Sequence, residues 1–133
     1  MNNSTLLNVV VITVTIAFAA IVAVPADETI LSYGHPRDPD VLVRLVEEAR
    51  ADFDLIDVRT AAEFRSGHIP TAINIDHREI ESAMAAGDTS RPVVVYCRSG
   101  NRSAQAVAVL SELGYTQVYD FGALHRWPKS LVR

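Results

Sequence analysis

Four apolar residues in unbroken succession, Val93-Val94-Val95-Tyr96, constrain this chain more than any other feature. A strand with one wet face alternates apolar and polar side chains, so a β-branched run without alternation is apolar on both faces. Such a strand belongs to a mostly parallel sheet covered by helices, and a parallel sheet needs helix-length crossovers between its strands.

The rest of the chain supplies those crossovers. In "DPDVLVRLVEEARA" Asp38 can cap a helix, Pro39 suits its first position, and Val41, Leu42, Leu45, Val46 and Ala49 recur at helical spacing. "DLIDV", Asp54 to Val58, is a short strand. A short helix is expected from Thr60, with Glu63 completing a capping box and Gly67 closing it. "TAINI", Thr71 to Ile75, is a second strand, and "HREIESAMAAG" a helix ended by Gly87. "RPVVVYC" is the third strand, Ser103 to Leu113 a helix ended by Gly114, and "TQVYDF" the last strand. "ALHRWPKSLVR" finishes with a turn or short helix around Pro128. The expected class is α/β: one open, mostly parallel sheet flanked by helices on both faces, with ligands outside the carboxyl ends of the strands.

At 133 residues there is room for one domain. Residues 1–26 carry no acidic, basic or histidine side chain, and Leu6 to Val24 is almost wholly apolar. This reads as an export signal, with Val24 and Ala26 placed for cleavage before Asp27; a retained membrane anchor through 6–24 is the alternative. Either outcome puts the domain outside the cytoplasm, in a periplasm or an otherwise extracytoplasmic setting. Residues 27–38 read as a linker or irregular lead-in, and 39–133 as the folded domain. With a net charge of −4, the chain offers no footprint for nucleic acid.

The only cysteine, Cys97, ends the third strand and opens the loop "RSGNR". Position alone allows two readings, a small buried hydrophobe or a nucleophile. The loop favours the second, because Arg98 and Arg102 bring positive charge, Gly100 and Asn101 permit positive φ, and the following helix turns its amides towards an anion. A thiolate held there is expected to form below the usual thiol range. No cysteine-protease signature is present, and His35, His68, His77 and His125 could approach only in space. The loop encloses "RSGN", one residue fewer than in cysteine phosphatases, and the smaller ring suits a sulfur atom better than a phosphoryl group.

Two stretches carry a specific resemblance. "DLIDVRTAAEFRSGHIPTAINI", Asp54 to Ile75, and "VVVYCRSGNRSAQAVAVLSELGY", Val93 to Tyr115, resemble the opening signature and the active-site loop of the rhodanese sulfurtransferases, and the likeness runs from Pro39 to Trp127. The resemblance implies a rhodanese-like domain in which Cys97 takes a sulfane sulfur from a small anion such as thiosulfate and passes it, as a persulfide, to cyanide or a thiol. The loop residues Arg98, Ser99, Gly100, Asn101, Arg102 and Ser103 would bind the substrate, the two arginines holding the anionic donor, with no metal and no cofactor. A sulfur carrier or sensor serving one protein partner is the alternative. Asp57 and Arg59 read as a structural ion pair, and His68 as a packing or hydrogen-bonding residue. Thr71 and Ala123 stand where the family commonly has glycine. Oligomeric state is not legible.

Overall fold

A computed structural model describes residues 30–133. The apolar segment 6–24 and the cleavage position before Asp27 lie outside the described residues. Four strands, β1 (Asp54–Asp57), β2 (Ile73–Asn74), β3 (Val93–Cys97) and β4 (Val118–Ala123), alternate with α1 (Pro39–Glu47), α2 (Ala61–Ser66), α3 (Ile80–Met84) and α4 (Asn101–Glu112). All strand pairs are parallel, in the order β2-β1-β3-β4.

The strand that fixes the class behaves as its composition requires. Every residue of β3 is buried. Val94 and Tyr96 face a core with α1, Phe53, Phe121 and Trp127, while Val93, Val95 and Cys97 face a second core with α3 and α4. Strand alternation therefore assigns Cys97 to the α4 side. The connections that follow the paired strands β1 and β3 diverge, because α2 leads away from β1 on the α1 side and α4 leads away from β3 on the other. That divergence is the switch point where an open α/β sheet leaves a crevice.

Both expected N-caps are built as read. Asp38 caps α1 by accepting from the Asp40 N–H at 2.9 Å, and Thr60 and Glu63 form the reciprocal box on α2. The lead-in is more than a linker. Residues Ile30–Tyr33 make a 3₁₀ turn, Ile30 is fully buried in the α1-side core, and the Tyr33 hydroxyl accepts from Arg50 at 2.7 Å. Strand β2 is shorter than expected, two residues in place of five. At α4 the expected start, Ser103, moves back to Asn101, with Gly100 as its cap.

Thr71, the residue in place of a glycine, has φ of 69°. A β-branched side chain in this left-handed region is strained, which gives the physical reason for glycine there. Thr71→Gly is expected to raise stability by roughly 0.5 kcal/mol, the relief of strain outweighing the added freedom of the unfolded chain. The urea midpoint checks it, and a lower midpoint would count against the strain. Ala123 carries no such conflict: its backbone is extended, at φ −90°, and Gly122 takes the positive φ, 88°, beside the irregularity that sets Tyr96 opposite Gly122.

Candidate active site

Strand β3 delivers Cys97 to the crevice, and the loop that follows turns back over it. Gly100 makes the turn at φ 101°, a region that costs glycine nothing. Asn101, expected to share that freedom, is instead the first residue of α4, so Gly100 alone makes the turn within the loop. The Gly100 N–H then donates to Cys97 Sγ at 3.0 Å. Ser103, fully buried in the first turn of α4, sets its Oγ 3.6 Å from Sγ and donates to the Gly100 carbonyl at 3.0 Å.

Two opposing influences decide the state of this sulfur. Burial pushes the Cys97 thiol up, since Cys97 is fully enclosed. The N–H and hydroxyl of Ser103 and the N–H groups of Gly100 and Ser99 favour the thiolate and prevail, so its pKa lies below the usual thiol range. The positive end of α4 acts in the same direction. The absorbance of the thiolate, followed against pH with Cys97→Ser as the blank, is expected to rise with a midpoint below about 8.5, the value of an unperturbed thiol. A midpoint at or above that value would mean that burial wins.

The two arginines of the loop differ in their surroundings. Arg102 donates from both terminal nitrogens to Glu63, at 2.8 and 2.9 Å, a bidentate fork. Arg102 holds the Glu63 carboxyl down to about 2. Glu63 thus serves α2 as a capping residue and the Cys97 loop as an anchor. The capping box is visible in the sequence; the bond to Arg102, 39 residues on, is not. Arg98 is exposed and, among the described residues, its side chain makes no ion pair or hydrogen bond. It lines a cleft beside the loop together with Leu124, His125, Trp127, Lys129 and Leu131. Asn101 and Ser99 are exposed.

Beneath the loop, at the end of β1, Asp57 and Arg59 form the expected ion pair, 0% and 4% exposed. Arg59 Nη2 reaches Asp57 at 2.6 Å and the Gly67 carbonyl at 2.7 Å. The Asn74 amide donates to the carbonyls of both residues, and Tyr96 accepts from the Ile69 N–H at 3.1 Å. Arg59 Nε and Nη2 are both taken up by protein acceptors, which makes the pair a frame for the crevice. His68 packs and bonds as expected: its ring stacks on Phe64, 3.6 Å between centroids, and Nδ1 lies 3.0 Å from the Phe64 carbonyl. Of the other histidines, His35 meets Tyr119 edge-on, His77 sits 3.1 Å from Asp76, and His125 lines the cleft. No histidine hydrogen-bonds to Cys97 among the described residues, so the protein activates the sulfur with amides and not with a base.

Residues 38–128 match the family model of the rhodanese-like domain. The chain belongs to the rhodanese family. It is 39% identical over 74 residues to the thiosulfate sulfurtransferase GlpE of Pseudomonas savastanoi, covering 55% of this chain and 70% of that one. To the thiosulfate sulfurtransferase PspE of Escherichia coli it is 42% identical over 71 residues, or 52% of this chain and 68% of the relative. Among solved structures, a rhodanese with anions from E. coli superposes with a TM-score of 0.55 at 38% identity, over 60% of this chain and 96% of that one. The four-stranded parallel sheet is the rhodanese fold, and the chain is a sulfurtransferase whose single cysteine, Cys97, is consistent with a persulfide site.

Proposed function

We propose that this rhodanese takes the outer sulfur of thiosulfate onto Cys97 and hands it to a thiophilic acceptor, cyanide or a thiol. The observation that carries the reading is the Cys97 sulfur itself, held as a thiolate by backbone donors at the amino end of α4. The thiolate attacks the sulfane sulfur; a new S–S bond forms to Sγ, the bond to the sulfonate sulfur breaks, and its electron pair leaves with sulfite. One negative charge then sits on the outer persulfide sulfur, about 2 Å beyond Sγ. That displacement brings the reactive atom out of the enclosed position of Sγ and towards the crevice. The acceptor attacks the outer sulfur and the electron pair returns to Cys97. Free enzyme alternates with persulfide, so ping-pong kinetics follow.

Of the two arginines, Arg98 is the one with a guanidinium open to a dianion, since the charge of Arg102 is met by Glu63. Arg98→Ala is expected to raise KM for thiosulfate about tenfold with little change in stability. Arg102→Ala should instead lower stability, by releasing Glu63. If Arg98→Ala leaves KM unchanged, the donor is held by the amides alone.

Incubation with thiosulfate followed by intact mass measurement tests the reading: one added sulfur is expected, removable by cyanide with release of thiocyanate. No added sulfur would overturn it. We also propose that the domain lies outside the cytoplasm; the absence of charged side chains in 1–26 and the apolar run 6–24 support this. Amino-terminal sequencing of the exported protein distinguishes cleavage before Asp27 from a retained anchor.

A further inference from the structure

The cleft that Arg98 lines beside the Cys97 loop has a volume of about 460 Å³, far more than a cyanide or thiosulfate ion occupies. Its lining combines Leu124, Trp127 and Leu131 with the cations Arg98 and Lys129 and with His125, and contains no acidic residue. In a chain of net charge −4 this is a local reversal of sign. Lys129 lies 3.2 Å from Glu47, but both side chains are more than half exposed, so that pair is readily exchanged for another anion.

The cleft is set in place before any ligand arrives. On one side stands Arg98 of the Cys97 loop. The other is the carboxyl-terminal segment, which His68 and Val132 fasten by two backbone hydrogen bonds of 2.9 and 3.0 Å and Arg133 by a bond to the Ser66 carbonyl. The Trp127 indole N–H donates to the Ser130 carbonyl at 3.4 Å. Lys129 and Leu131 lie beyond the stretch 38–128 that matches the family model.

An inorganic dianion has no use for an apolar wall, whereas a ligand with an apolar body and an anionic head matches both halves of the lining. We propose that the cleft binds the sulfur acceptor, a small aliphatic thiol with an anionic head group, the head on Arg98 and Lys129 and the chain against Trp127, Leu124 and Leu131. The proposal rests on the persulfide reading above. The acceptor thiol loses its proton to water as its sulfur attacks the outer persulfide sulfur; the new S–S bond forms, the bond to Sγ breaks, and the electron pair returns to Cys97. The product is the acceptor's own persulfide, with no further oxidant or reductant.

Three thiols of matched acidity test it, with thiosulfate as donor and cyanide as the control acceptor. The kcat/KM for 6-mercaptohexanoate is expected to exceed that for 6-mercaptohexanol about fivefold, and that for 3-mercaptopropionate about tenfold. Lys129→Gln should remove most of the first advantage, Lys129→Arg should keep it, and Leu131→Ser should remove most of the second, each with cyanide turnover unchanged. Equal rates for the three thiols, or variants that slow cyanide and thiols alike, would overturn the proposal. Trp127, the only tryptophan of the chain, gives a readout free of turnover: its fluorescence in Cys97→Ser protein should respond to 6-mercaptohexanoate at lower concentration than to 6-mercaptohexanol. A response there without any persulfide would sink the catalytic reading and leave the cleft standing; persulfide without a response would sink the cleft alone.

Discussion

Cys97→Ser is expected to lower sulfur transfer to cyanide by at least about a thousandfold and to abolish the added sulfur in the intact mass. The reason is the ionisation of the attacking atom. Gly100, Ser99 and Ser103 lower the pKa of the Cys97 thiol, but no such set of amides brings an alcohol into the neutral range, and a serine oxygen holds no sulfane sulfur. The substitution is nearly neutral for the fold, since a serine hydroxyl can accept from the Gly100 N–H that now donates to Sγ. Equal melting curves with lost transfer therefore make the test clean. A variant within tenfold of the parent would remove Cys97 from the mechanism.

Asp57→Asn is expected to cost about 3 to 5 kcal/mol, because breaking one partner of a buried pair strands the other charge. Arg59 is 4% exposed, and three of its side-chain bonds run to the Asp57 carboxylate. An amide of the same size returns a neutral acceptor but no charge, and burial already acts against the guanidinium's charged form. For a domain of this size that is a large share of a total stability of about 5 to 15 kcal/mol. The double variant Asp57→Leu, Arg59→Met should lose less than the single one, since it leaves no uncompensated charge. Urea denaturation measures both; a loss under about 1 kcal/mol for Asp57→Asn would show that water reaches the pair. Per folded molecule, persulfide formation should be unchanged, which separates a frame from a substrate contact.

Much of the site is local, and local features are legible. Cys97, the turn at Gly100 and the amides of α4 lie within one strand–loop–helix, so composition and order were enough to place them. The capping box of Thr60 and Glu63 spans three residues and reads the same way. The features that eluded the sequence join distant segments. The fork between Arg102 and Glu63 turns a loop cation into a structural anchor and leaves Arg98 as the arginine open to an anion. Ile30 enters the core from a stretch with no periodicity, because a single side chain closing a gap leaves no pattern.

The division has a physical cause. The unbroken apolar run of β3, set among alternating helical and strand segments, determined a parallel, doubly covered sheet, because a strand with no wet face needs a layer on each side. The residues around Cys97 determined its chemistry, because amides within six residues act through short-range hydrogen bonds. Which charges remain unpaired, and which segment walls the neighbouring cleft, depended on how α2, the Cys97 loop and the carboxyl-terminal strap pack together in space. Only the tertiary structure decided those.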